Sequence, residues 1–501
     1  MSLKFDASRP DLRHSDWVTD ASAPVTTQTT ALTQARRWAY RLAWPPGARG
    51  VRMALVLAGL VALAVYVLPG LLAPAANWPL WDVQVYWWGG RQAAAGGGAL
   101  YATGAPFSFT YPPFAALLFA AGAGAPVGVL QAVLTVGSLA SLVVLCGLSL
   151  GAAGVRRRPE TVLAVSALAL LTWPVAYTLH LGEVNLILAA LIGADLLRRR
   201  DGAWWQGIGT GLAAGIKLTP LIFVAYLALT GRLRAAATAT ATFAVTVVAG
   251  FLWLPARSRL FWLGGVVGDS RRIGDPANPS DQSLAGAIAR LAGTGDPPRT
   301  WWLVAVLVVG LAGLAVAVWA HRRGHRMAGF LCCAVTGLLV SPIAWTHHWV
   351  WAVPLLVWLA TTAWRRRSAA CALAAALAAV VFSSFTPLPW PGHPPGAGRM
   401  AASDLYVLFG LAVLAAVGVA LARGRCLGCP GHPSIPMCPV VHERAVARDV
   451  AKRPTLNYVY RINICKWCAW GSRDPEGRGR GVAVGGPRRS PAPASRRTVP
   501  G

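Results

Sequence analysis

The residues that could do chemistry are few, and they sit between long apolar runs. In residues 77–114, NWPLWDVQVYWWGGRQAAAGGGALYATGAPFSFTYPPF, Asp82 is the one acid, set among Trp78, Trp81, Tyr86, Trp87 and Trp88, with Arg91 nine residues on. The next acids in either direction are Asp20 and Glu160. A lone carboxylate among aromatic rings at a membrane edge either caps a helix that starts at Val83 or works as a base. His180, Glu183 and Asn185 form a second polar group in HLGEVN; they satisfy a tight turn or contact ligand hydroxyls. Lys217 is the only lysine between residues 5 and 451. It either snorkels to head groups or meets a phosphate with its compact charge. His347 and His348, after Ser341 in SPIAWTHHW, belong to an aromatic belt or to a binding site. Tyr111-Pro112-Pro113 sets the angle at which the chain re-enters apolar surroundings, because proline fixes φ and restrains its predecessor.

The elements that must position these groups are apolar. Of 501 residues, 55% are hydrophobic and 13% charged, and the mean hydropathy is +0.50. That composition excludes a soluble globule and fits an all-α polytopic membrane protein, since a span takes about 20 apolar residues. The net charge of +28 would suggest nucleic acid in a soluble chain. Here the arginines lie mostly in short turns between apolar runs, so they report topology and no nucleic-acid partner is expected.

Read in order, residues 1–52 are a polar, mostly disordered cytoplasmic segment ending in Arg36, Arg37, Arg41, Arg49 and Arg52. Residues 53–422 are the membrane domain. Helices are expected at 53–72, 127–151, 160–179, 184–197, 204–216, 218–230, 235–255, 301–320, 327–344, 349–363, 369–386 and 405–422, with a partial one at 113–124. This gives about twelve spans, both termini cytoplasmic, a large first outer loop and a large mid-chain outer loop at 256–300. That second loop carries Arg257, Arg259, Arg271, Arg272, Arg290 and Arg299, against the positive-inside rule. Either it binds a lipid phosphate or a long loop tolerates the charge.

Residues 423–501 change to Arg, Pro, Gly, Ser and Cys without helical period and read as a disordered basic tail. Their pairs Cys426/Cys429 and Cys465/Cys468 are too far apart in sequence for a packed zinc ribbon, and no metal is expected. Cys146, Cys332, Cys333 and Cys371 lie inside apolar runs and read as small core residues. No Walker A, no dinucleotide fingerprint and no DxD pair competes, which turns attention from nucleotide-linked to lipid-linked donors.

The segments WDVQVYWWGG (81–90), LY (100–101), FTYPPF (109–114), GEVNLIL (182–188), GLAAGIKLTP (211–220), QSLAG (282–286) and SPIAWTHHWVW (341–351) are collinear with those of a known family. Over residues 50–422 the chain resembles the actinobacterial polyprenol-phosphate-mannose-dependent α-(1→2)-mannosyltransferases, glycosyltransferase family 87, which have the GT-C membrane fold. The resemblance implies inverting transfer from a polyprenyl-phosphate sugar to a mannosylated glycolipid acceptor on the outer face of the cell membrane, without a cofactor. It implies Asp82 as general base. Lys217, His348 and the loop arginines Arg271 and Arg272 would meet the leaving-group charge, and Tyr86, Arg91, Glu183, Asn185 and His347 would contact substrate. Family members often carry Gln where Glu183 stands. Another donor sugar such as arabinofuranose remains open, as does a lipid-linked sugar flippase, though no repeat relates the halves. Protein partners are not readable.

Overall fold

The computed structural model describes residues 80–102, 108–198, 203–384 and 402–424. The helix expected at 53–72, the N-terminal segment and the cysteine pairs of the tail lie outside the described residues. Everything described is helix, turn or loop; the two strand-like pairings, Thr172 with Ser383 and Asp281 with Trp345, are isolated bridges.

The first described helix, α1 (Trp81–Ala94), is 14 residues long, too short to span, and belongs to the first loop. It starts directly after Leu80, which holds a left-handed φ of 43°. Its buried stripe, Val83, Tyr86, Gly89, Gly90 and Ala93, follows helical spacing and packs on α2 (Pro113–Ala120). A Cβ on Gly90 would fall on the Phe119 backbone, so the two helices touch main chain to side-chain-free surface there. Pro113 opens α2 at its first position, where its missing N–H leaves nothing unpaired.

Four described helices are long and apolar enough to cross a membrane: α3 (Val127–Ala152), α9 (Leu233–Trp253), α12 (Arg299–Arg322) and α16 (Leu405–Ala422). On α12 the outward face carries Leu303, Val304, Leu307, Val308 and Leu311, a stripe that only lipid would solvate well. Between these helices the apolar runs break into shorter pieces. The run expected as one helix over 160–179 is two, α4 (Pro159–Ala169) and α5 (Trp173–Leu181). Pro174 brings no N–H to a continuing helix, and the Trp173 N–H is spent elsewhere, donating to Phe382 O at 2.8 Å. Then follow α6 (Asn185–Leu196), α7 (Ile208–Ile216) and α8 (Leu221–Leu229), each shorter than a full span. Beyond α9 come α10 (Pro255–Trp262), α11 (Leu284–Ala292), α13 (Arg326–Val340), a 3-10 turn at Thr346–Trp351, α14 (Ala352–Arg366) and α15 (Ala369–Val381). The run expected to start a helix at 349 thus begins as 3-10 three residues earlier. α13 is buried on nearly every side, between α12 and α16.

The arginine-bearing turns gather at one end. Arg365 lies against Gly154, Arg232 donates to Asp195 O, Arg322 donates to Leu229 O, and the charges of Arg323 and Arg366 reach His325. The turns at Gly182–Asn185, Lys217–Pro220 and Ser341–His348 lie at the other ends of the same helices.

Candidate functional site

Those three turns and the start of α1 converge on one cavity of about 800 Å³, a size typical of ligand sites. Asp82, Tyr111, Glu183, Lys217, Arg272, His347 and His348 all line it.

Local structure explains the convergence. Gly182 ends α5 in the left-handed conformation, φ 72°, and the Glu183 N–H turns back to Thr178 O at 3.0 Å. A Cβ at Gly182 would overlap the Val83 side chain, so the first turn of α1 sits directly on the α5–α6 turn. This brings Asp82 within electrostatic reach of Glu183 and Lys217. The histidine segment is pinned by the same hairpin. Thr178 Oγ1 and Asn185 Nδ2 both donate to His347 O at 2.9 Å, and Trp173 Nε1 donates to Thr346 Oγ1 at 3.1 Å.

Glu183, 1% exposed, is the hub. Its Oε1 accepts from Lys217 Nζ at 2.5 Å, and its Oε2 accepts from Asn185 Nδ2 at 2.5 Å and faces His347 Nε2 at 3.0 Å. The Tyr111 hydroxyl reaches Oε1 at 3.5 Å. Lys217 spends all three ammonium protons: on Glu183, on Asn185 Oδ1 at 3.2 Å and on His348 Nε2 at 3.0 Å. Burial alone would raise the Glu183 carboxyl. The Lys217 ammonium, helped by His347 at Oε2, reverses this and holds it well below the usual carboxylate range. His348 goes the other way: burial and Lys217 push it down to about 3, against the pull of Glu183. His348 is therefore neutral and accepts from the lysine, so in this arrangement it supplies no positive charge.

Glu183, His347 and His348 bring ligand atoms within 4.8 Å of one another, a spacing that a metal ion could use. The Lys217 ammonium already lies against the Glu183 and His348 atoms of that set, and a cation entering there would compete with it.

Asp82 differs from Glu183. It lies in the first turn of α1, past the cap position held by Leu80, and makes no hydrogen bond with any described residue. Burial, then the charge of Glu183, pushes its carboxyl up to about 8, with Lys217 pulling the other way. A carboxyl without a hydrogen-bond partner among the described residues, raised to about 8 and lining a cavity, is suited to proton transfer.

Tyr86 stands behind the cavity. It is fully buried, stacks on Phe119 at 4.5 Å between ring centroids, and shares a hydrogen bond of 3.1 Å with Tyr111. Arg91 and Arg271 are not brought to the cavity. Arg91 is exposed over the Trp87 ring at the far end of α1, about 14 Å along the axis from Asp82. Arg271 is exposed and pairs with Asp269 at 3.4 Å. Both lie where short-range helix and turn contacts hold them. Arg272 does line the cavity, with its Nη2 donating to Tyr101 O at 3.1 Å.

Two contributors were not among the residues expected to touch the site. Tyr111, read only as part of a proline turn, puts its hydroxyl on Glu183. Asp281, fully buried, accepts from Ala344 N at 2.8 Å and from Ser283 N at 3.1 Å, tying the second loop to the segment that leads into His347. Its signal was present in the sequence: an acid two residues before Ser283 can close an Asx turn. Arg290 of the same loop is consumed by Asp404, at 2.5 Å, and by three carbonyls, so part of that loop's charge is structural.

A profile of glycosyltransferase family 87 matches residues 109–342. The chain is 35% identical over 347 residues, 64% of its own length and 79% of the relative's, to a Mycobacterium tuberculosis protein named polyprenol-phosphate-mannose-dependent alpha-(1-2)-phosphatidylinositol mannoside mannosyltransferase. It is 32% identical over 378 residues, 70% of its length, to a Mycolicibacterium smegmatis protein of the same name, and covers 84% of that relative. A second M. smegmatis protein, named as the corresponding phosphatidylinositol pentamannoside mannosyltransferase, is 36% identical over 261 residues, 51% of this chain and 61% of the relative. No solved structure matches.

Proposed function

The chain belongs to glycosyltransferase family 87, and from that premise we propose that it moves mannose from polyprenyl phosphomannose to a mannose-bearing phosphatidylinositol glycolipid. The product would carry an α-(1→2) link made with inversion. The observation that carries this reading is the cavity lined by both Asp82, a carboxyl with no hydrogen-bond partner among the described residues, and a cationic group, Lys217 with Arg272.

In this reading Asp82 takes the proton of the acceptor 2-hydroxyl while that oxygen attacks the anomeric carbon. The bond from that carbon to the phosphate oxygen breaks, and its electron pair leaves with the lipid phosphate. Base and leaving group stand on opposite sides of the carbon, hence inversion. The growing phosphate charge is met by Lys217, whose longest contact, to Asn185, is the one a phosphate oxygen would replace, and by Arg272. Glu183 and His348 hold the ammonium in place. No divalent ion is needed, because a tethered cation fills the role. The short arginine-bearing turns lie away from the cavity, and the positive-inside rule supports a reading in which those turns and both termini are cytoplasmic and the cavity opens on the outer face of the cell membrane.

The test is mannose transfer from synthetic polyprenyl phosphomannose to a mannosylated acceptor in reconstituted vesicles. Asp82→Asn should fold and lower kcat by roughly 10²- to 10⁴-fold. EDTA should leave the parent rate unchanged. Equal rates in parent and variant would remove Asp82 from the mechanism, and a rate lost to EDTA and restored by a divalent ion would give the Glu183–His347–His348 cluster to a metal.

A further inference from the structure

A second, smaller cavity of about 230 Å³ adjoins the first. The two share a wall made by Thr110, Val267, Arg272, Ile273 and Pro342. Beyond that wall the smaller cavity is lined by Asp269, Ser270 and Trp302, the last from the start of α12.

Two donors at this cavity are buried without a hydrogen-bond partner among the described residues: Arg272 Nε and Trp302 Nε1. Arg272 Nη2 donates to Tyr101 O, and the Arg272 carbonyl accepts from Ser108 Oγ at 2.9 Å. Buried donors left unpaired are rare in folded proteins, and two of them at one small cavity call for a ligand that accepts. The chemistry of the other lining groups narrows its class. An anionic head group would meet the Asp269 carboxylate, only one oxygen of which is paired among the described residues, with Arg271 at 3.4 Å. An apolar tail would leave both donors orphaned. A neutral polyol can accept from Arg272 and Trp302 and donate to Asp269, while the indole offers an apolar face to its C–H groups. The space holds one pyranose ring.

We infer that this cavity is a second sugar subsite, which binds the sugar next to the accepting one on the glycolipid. The inference rests on the mannosyltransfer reading and extends it from the reacting sugar to its neighbour. It makes Trp302 a specificity residue.

The test uses the full chain in vesicles with polyprenyl phosphomannose and two acceptors, octyl α-mannoside and the corresponding α-linked octyl dimannoside. The parent should have the lower KM for the dimannoside. Trp302→Phe keeps a ring and deletes the N–H; it should leave kcat and KM for the monomannoside unchanged and cut the dimannoside advantage by roughly two- to tenfold, the worth of one hydrogen bond. Trp302→Ala should abolish the advantage. Because the deleted donor has no partner among the described residues, Trp302→Phe should melt no lower than the parent. Equal KM values for the two acceptors in the parent would overturn the subsite, as would an advantage retained by both variants or an equal loss on both acceptors. Transfer to neither acceptor by the parent would sink the mannosyltransfer reading itself, and the subsite with it.

Discussion

At the scale of the residue, two carboxyls in one cavity are driven apart. Glu183 is held ionised by Lys217, while Asp82, without a hydrogen-bonding partner among the described residues, is raised to about 8 by burial and by Glu183. Opposite shifts of this kind separate a structural anion from a base matched to neutral pH. The sign follows directly. A base of raised pKa is ionised only above it, so kcat/KM should climb as pH rises towards about 8 and level off beyond. Glu183→Gln removes a negative neighbour and leaves Lys217 uncompensated; both changes favour the ionised Asp82. Its rising limb should therefore move to lower pH, even if the maximum rate falls. A limb that stays where the parent has it would mean that another group is titrating.

At the scale of the element, the site depends on how closely α1 sits on the α5–α6 turn. Gly182 sets that distance twice, by its positive φ and by the absence of a Cβ where Val83 lies. Gly182→Ala should strain the turn by about 1–2 kcal/mol and push α1 outward. A displacement of about 1 Å at the base can lower activity by roughly 10²-fold, and a loss of that order in kcat/KM is expected. Val83→Ala added to Gly182→Ala removes the overlapping methyl groups and should restore part of the rate. A double variant no better than Gly182→Ala would show that the contact with Val83 is not what positions Asp82. On the other side of the cavity, Asp281 and the pairing of residues 280–282 with 344–346 hold the second loop onto the histidine segment. The loop that carries Arg272 and the segment that carries His348 therefore form one frame.

At the scale of the whole molecule, the short turns bearing Arg232, Arg322 and Arg365 lie at the end of the helices away from the cavity, while the second loop brings Arg272 to it. Positive turns resist translocation, so this separation predicts the proposed orientation, with the cavity outside. Thr294, exposed in the second loop, and Arg323, exposed in the turn after α12, sit at opposite ends of that helix. In intact cells, a membrane-impermeant maleimide should label Thr294→Cys above the parent's background and should reach Arg323→Cys only after lysis. The reverse pattern would put the cavity on the cytoplasmic side.

Apolar runs, arginine turns and the order of the short motifs are local properties, so the helical membrane class and the family likeness were readable from the chain alone. So were Asp82, Glu183, Lys217 and the histidine pair as polar groups too costly to bury without purpose. What the linear order left open was which of them meet. Lys217 finds Glu183 at a separation of 34 residues and His348 at 131, and nothing local encodes that. Arg91 and Arg271 looked equivalent to the others in charge, yet α1 carries the first away and the loop turns the second outward. The break before Trp173 depends on the Phe382 carbonyl, a partner more than 200 residues on. The protonation states were decided last and only in three dimensions, because a pKa is set by burial and by neighbours that the fold alone supplies.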